Sequence, residues 1–298
     1  MKLFIPLILL LLSFQQSAIA DVNVFACEPE WGSLMSELGG EHVNITTALT
    51  SAQDPHYLQA KPSLIASIRR ADLLVCSGAQ LEVGWLPLLL RRSGNSAIQP
   101  GQTGHVMTAL LVKRLEIPVK VDRAQGDIHP EGNPHVHLNP RNIKRIATEI
   151  TKRLSLIDAD NAAFYQARGA DFQDRWQVAS SRWKSEIAPL KGMRVIVHHT
   201  SFTYLANWLG LVKVADLEPK PGLPSSGGHL ASLLSQFSNN PPRVIIRTPY
   251  SNTRPSEWLS ERLSVPALEL PYTVGGKDTK DLFEVYDETI ASLLKANR

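Results

Sequence analysis

The sequence predicts an α/β protein of two lobes, each a parallel sheet flanked by helices, with one long rigid helix joining them. Three observations carry this. Short β-rich runs alternate with stretches of helical periodicity from Val22 to Arg92, the same alternation resumes from Met193 to Leu294, and a segment of helical character from Asp158 to Leu190 separates the two. Strands joined through helices pair in parallel, because the crossover helix brings the chain back to start each strand in the same direction.

In the first lobe Val22 to Ala26 reads as a strand, and Trp31, Leu34, Met35 and Leu38 recur at helical spacing until Gly39-Gly40 stops them. Val43 to Leu49 is a second strand, followed by the loop Thr50 to Lys61. Pro62 opens a helix through Arg70, since proline suits a first turn; Ala71 to Cys76 is a third strand and Trp85 to Arg92 a further helix. After Pro140 the character changes. Ile143, Ile146, Ala147, Ile150 and Leu154 form one apolar stripe, and Phe172, Trp176, Trp183, Ile187 and Leu190 form the next, within a segment from Asp158 to Leu190 interrupted only by Gly169. At about 1.5 Å per residue the stretch from Asp158 to Leu190 reaches roughly 40 Å, long enough to pack against two lobes at once.

The second lobe repeats the pattern. Met193 to Val197 is a strand leading into His198-His199, Ser201 to Leu209 a helix ended by Gly210, and Val212 to Leu217 a strand. A Pro/Gly/Ser-rich loop from Glu218 to Gly228 follows, then helix Leu230 to Phe237, strand Arg243 to Arg247, helix Pro255 to Leu263, strand Ala267 to Leu270 and helix Asp278 to Leu294. The expected division is residues 21–157, the linking helix 158–190, and residues 191–298.

Residues 1–20 read as a cleavable secretory signal: Lys2, an apolar run from Leu3 to Phe14 too short to span a bilayer, and Ala18-Ile19-Ala20 before Asp21. No cysteine follows directly, so no lipid anchor is indicated, and an exported soluble chain is expected. The 31 Lys and Arg, Lys2 among them, nearly balance 28 Asp and Glu, which gives no reason to expect nucleic acid or an anionic membrane as partner. Cys27 and Cys76, the only cysteines, end two predicted strands. Export permits them to pair if those strands are neighbours; two buried free thiols are the alternative.

The chemistry lies in the nine histidines. Ligands of open parallel sheets bind beyond the carboxyl ends of the strands, and His56, in Asp54-Pro55-His56, and His198-His199 occupy such positions. His135 and His137 flank Val136 in the proline-bounded stretch Gly126 to Pro140, where an extended chain puts both on one side. Strand alternation sends His198 and His199 to opposite faces, so one is a ligand and the other structural. Clustered neutral imidazoles are a zinc-type donor set, whereas carboxylates suit harder ions.

These motifs resemble the substrate-binding proteins of metal-transporting ABC systems, cluster A-I, in particular the zinc-binding members. The carriers are Asp54-Pro55-His56-Tyr57, Ala71-Asp72-Leu73-Leu74-Val75 with Gly78 and Leu81-Glu82, Asn133-Pro134-His135-Val136-His137-Leu138-Asn139-Pro140, and His199-Thr200-Ser201-Phe202-Thr203-Tyr204. The resemblance implies one Zn²⁺ held between the lobes by His56, His135 and His199, with the spacing to Tyr204 choosing His199 over His198. It further implies a monomeric periplasmic carrier that delivers the ion to an ABC permease. The chain departs from the family where an aspartate often supplies a fourth ligand: Glu269-Leu270-Pro271 has leucine there, leaving Glu269, His137 or water. His137 is expected to serve a ligand rather than be one, and His42, His105, His129 and His229 to be structural.

Three other functions compete. Manganese or iron binding within the same family is disfavoured by His199 where manganese members commonly carry a carboxylate. A metal-dependent adhesin could use the same fold. A zinc hydrolase, with three histidines and an exchangeable water, is less expected because the chain lacks His-Glu-x-x-His; no enzymatic activity is expected.

Overall fold

The computed structural model describes residues 21–121 and 126–298. The expected export segment, residues 1–20, lies outside the described residues.

The first sheet is built from β1 (Val22–Ala26), β2 (Val43–Thr47), β3 (Leu73–Cys76) and β4 (His105–Met107), in the order β2-β1-β3-β4 and parallel throughout. The second uses β5 (Arg194–Val197), β6 (Val212–Asp216), β7 (Val244–Arg247) and β8 (Ala267–Glu269), in the order β6-β5-β7-β8. The two orders are the same, with β5 taking the place of β1. The central strands are buried nearly end to end, as strands covered on both faces must be, and carry the apolar runs that mark them in the sequence. Only β4 escapes the sequence reading: three residues of edge strand are too short to show a period.

Around the first sheet pack α1 (Pro29–Gly39), α2 (Pro62–Arg70) and α3 (Leu86–Ser93); around the second, α6 (Thr203–Leu209), α7 (Gly227–Phe237), α8 (Thr253–Leu263) and α9 (Leu282–Ala296), the last preceded by an Asp281 side chain that accepts from the Glu284 amide. Proline begins α1 and α2 where its missing N–H costs nothing, and Gly210 ends α6 at φ 69, a left-handed conformation that glycine adopts without strain.

Between the sheets lie α4 (Pro140–Ile157) and α5 (Ala162–Glu186). The stretch expected to be helical from 158 to 190 is a 25-residue α-helix with one 3-10 turn at each end. It is tied to both lobes. Arg175 pairs with Glu37 of α1 at 2.9 Å, while Arg182 pairs with Asp287 of α9 at 2.7 Å. Trp176 and Trp183 are fully buried, stack edge-on with each other, and both meet Tyr286. One continuous apolar cluster runs from Val24 and Val75 of the first sheet through Ile146, Trp176 and Trp183 to Val195 and Ile246 of the second; two smaller clusters fill the outer faces. Moving one lobe relative to the other therefore means repacking a shared core, not bending an open linker.

Cys27 and Cys76 are bonded, with Cα atoms 4.8 Å apart. The condition set by the sequence is met, because β1 and β3 are direct neighbours and the Cys27 amide donates to the Val75 carbonyl.

Candidate metal centre

The sheets point their carboxyl ends at a cleft of about 250 Å³ lined by His56, His198, His199, Asp54, Asp127 and Glu218, among others. His56 arrives on the loop after β2. There Asp54 accepts from the His56 amide at 3.0 Å, a local turn that proline at position 55 favours. His135 arrives just before α4: Asn133 accepts from its amide, and directly after Val136-His137-Leu138 the Asn139 side chain caps the helix that Pro140 begins. His199 stands two residues beyond β5, in extended backbone just before the turn into α6.

The three rings converge. Their centroids are 6.0 Å apart for His56 and His135, 5.7 Å for His56 and His199, and 6.1 Å for His135 and His199, close to an equilateral triangle. Each ring is held by the same nitrogen at the same distance. Nδ1 of His56 meets Asp54 at 2.7 Å, Nδ1 of His199 meets Glu218 at 2.7 Å, and Nδ1 of His135 meets the Tyr272 hydroxyl at 2.7 Å. A carboxylate can only accept, so His56 and His199 carry the proton on Nδ1, which leaves the Nε2 lone pair for a ligand. In His135 that Nε2 is fully buried and has no hydrogen-bond partner. Glu218 is itself fixed by the Gly222 amide at 2.8 Å.

Protonation favours the same chemistry. Burial first, and then the neighbouring imidazoles His56, His199 and His129, hold His135 well below the usual histidine range, so it is neutral at neutral pH. Burial alone would raise the Asp54 carboxyl, but its hydrogen bonds to His56 and the charge there outweigh that, and it stays an acceptor. Burial keeps the Tyr272 phenol protonated.

The other sequence candidates fall elsewhere. His137 does not share a side with His135, because Val136–Leu138 forms a 3-10 turn instead of an extended run. Its Nε2 donates to the Tyr272 carbonyl at 2.9 Å and its Nδ1 lies 3.1 Å from Glu30, so both nitrogens point into the protein. Glu269 pairs with Arg247 at 3.2 Å. His198 does not take the opposite side from His199 as strand alternation requires, since β5 ends at Val197; both turn towards Glu218, His198 at the longer distance of 3.9 Å. His229 lies in the first turn of α7, where its amide donates to the Ser226 cap. His129 departs from expectation: its ring lies 5.3 Å from that of His56 and 6.3 Å from that of His135, and burial followed by His56 and His199 pushes it down to about 4. Glu218 and Tyr272 are the positions that sequence reasoning missed.

Two like-ordered parallel sheets on one long helix, with a small cleft between their strand ends, define the bilobal class of binding proteins. The chain belongs to the family described as zinc-uptake complex component A periplasmic, whose model matches residues 24–296. Among curated proteins it is 24% identical over 262 residues to the zinc-binding lipoprotein AdcA of Streptococcus pneumoniae serotype 4, covering 88% of this chain and 51% of that one. It is 22% identical over 231 residues to the high-affinity zinc uptake system protein ZnuA of Bacillus subtilis, covering 74% and 68%. The chain thus spans about half the length of the pneumococcal relative. A likeness of 21% over 195 residues, covering 64% of this chain and 60% of the other, extends to the manganese ABC transporter substrate-binding lipoprotein PsaA of Streptococcus mitis. The solved structure described as a crystal structure of ZnuA has the same fold, with a TM-score of 0.77 at 22% identity over 93% of this chain and all of the other.

Proposed function

We propose that the mature chain, exported by its N-terminal segment, captures Zn²⁺ in the periplasm and delivers it as a monomer to an ABC permease. His56, His135 and His199 are the ligands. The observation that carries this reading is the shared orientation of the three rings: every Nδ1 is engaged by an oxygen at 2.7 Å, so the Nε2 atoms are the donors left to face the cleft. Hydrogen bonds of this kind fix the tautomer and aim of a metal-binding imidazole and strengthen it as a base. Capture is ligand exchange, in which water leaves the ion and neutral imidazoles replace it. An imidazole set suits zinc better than manganese, which prefers carboxylate oxygen. In this reading residues 21–157 and 191–298 are the two lobes and 158–190 the strut between them. The shared core and the paired ends of α5 support loading by ordering of the His56 and His135 loops, with little hinge closure.

The test is metal content and chelator competition on protein purified without chelator. One zinc per chain, displaced only by a strong chelator and released chemically unchanged, is the expected result. Manganese retained in preference to zinc would overturn it.

A further inference from the structure

With His56, His135 and His199 as three ligands, a tetrahedral ion needs a fourth, which the sequence left to Glu269, His137 or water; Glu269 and His137 are both engaged elsewhere. His129 brings a further imidazole beside His56 and His135. Its Nε2 lies 3.2 Å from Nε2 of His56, and one donor atom from each of His56, His129 and His135 fits within 4.8 Å of the other two. For zinc bound to imidazole at roughly 2.0–2.1 Å, the edge between two nitrogens of a tetrahedron is about 3.3 Å. The nitrogens of His56 and His129 are therefore already at the separation an ion between them requires. Nδ1 of His56 carries its proton towards Asp54, so its Nε2 presents a lone pair to His129. The backbone of Ala79 hydrogen-bonds the His129 ring, and with Nε2 turned to His56 that bond falls to Nδ1.

The segment that carries His129 is fastened to both sides of the cleft. The Tyr57 hydroxyl, next to His56, donates to Asp127 at 2.9 Å. The Asp127 amide donates to the Pro221 carbonyl at 2.8 Å, in the second-lobe loop whose Glu218 orients His199. Asp127 thus bridges the His56 loop and the Glu218 loop, and two residues further on the His129 ring meets that of His56.

We propose that His129 is the fourth zinc ligand, brought in by a cap that latches the His56 loop to the Glu218 loop and replaces the last water on the ion. The proposal rests on the reading of His56, His135 and His199 as the other three ligands. A fourth imidazole in place of water removes the position an outside donor or substrate would need, which suits a carrier and not a hydrolase.

The experiment is His129→Cys loaded with Co²⁺, read by absorption, beside zinc competition on His129→Ala. Both native cysteines are in the disulfide, so the new thiol is the only free one. The expected result is a thiolate-to-cobalt charge-transfer band in His129→Cys, and zinc affinity lowered by at least about ten-fold in His129→Ala with an unchanged melting temperature of the metal-free protein. No such band, together with wild-type zinc affinity in His129→Ala, overturns the proposal. Failure of the parent reading looks different: wild-type protein and His135→Ala would then bind zinc equally.

Discussion

The two sheets share a strand order, yet equivalent strand ends do opposite jobs. After the central strand of the first lobe, β1, come Cys27 and Glu28, which staple the chain to β3 and accept from Ser77; after the central strand of the second, β5, come His198 and His199. After the edge strands the roles reverse: the β2 loop brings the imidazole of His56, and the loop beyond β6 brings the carboxylate of Glu218 that orients an imidazole. One topology therefore supplies four addresses, and the residue placed at each decides whether it binds, orients or braces. The first lobe is braced by a covalent bond and by a buried carboxyl pair. Among the described residues the second lobe has no disulfide, and its contribution to the cleft is held by hydrogen bonds alone.

The largest effect expected from breaking this arrangement is at the imidazoles. Zinc sites gain about 10–16 kcal/mol over some four donors, so losing one costs about 3 to 4 kcal/mol, on the order of several hundred-fold in affinity. His56→Ala, His135→Ala and His199→Ala should each show it in chelator competition while keeping the wild-type circular dichroism spectrum. An unaltered affinity in His199→Ala would reduce the site to the first lobe alone.

Removing the brace should act on stability and not on ligand identity. Replacing Cys27 and Cys76 by alanine opens a crosslink across a sequence separation of 49, worth up to about 4 kcal/mol by loop-closure entropy. Calorimetry of the metal-free protein should record that loss, while the zinc-bound form keeps the same ligands.

The orienting carboxylates come next. Asp54→Ala and Glu218→Ala should weaken zinc by about 10- to 100-fold, leaving the ligand count unchanged by X-ray absorption. If Glu218→Ala matched His199→Ala in affinity and lost an imidazole, Glu218 would be holding the whole loop and not just the tautomer.

The smallest effect is a pH-dependent one in the brace. Burial first, then the charges of Glu82 and Glu30, hold the Glu28 carboxyl well above its usual range, and burial raises Glu82 as well. The folded chain keeps a proton that the unfolded chain releases, so the stability this contributes is present at low pH and is lost as pH rises through the folded value. Glu28→Gln, which keeps an acceptor for Ser77, should therefore raise the melting temperature more at about pH 8 than at about pH 5. A gain that is equal at both values would place the proton elsewhere.

Most of the fold was legible because its signals are local. The buried strands Val22–Ala26 and Arg194–Val197 are apolar except for Asn23 and Arg194, and the Trp176 and Trp183 stripe marks a helix wherever it packs. The site divides along the same line. His56, His135 and His199 each sit beside their own positioning residues, Asp54 and Asn133 within two positions and the turn into α6 directly after. Glu218 is 19 residues from the imidazole it orients and Tyr272 is 137 from His135, so no spacing rule pairs them. His129 lies two residues from Asp127, which is fastened at Tyr57 and Pro221, contacts that exist once both lobes are assembled. His137 misled for the opposite reason: its neighbours suggested extended chain, and a single 3-10 turn sends it to Glu30 and the Tyr272 carbonyl.

The most direct measurement of the central claim is anomalous diffraction at the zinc edge from crystals of the zinc-loaded protein. The expected result is one peak between the lobes, roughly 2.0–2.1 Å from Nε2 of His56, His135 and His199. A peak bonded to residues of one lobe only, or held by His137 or Glu269 in place of any of the three, would contradict it.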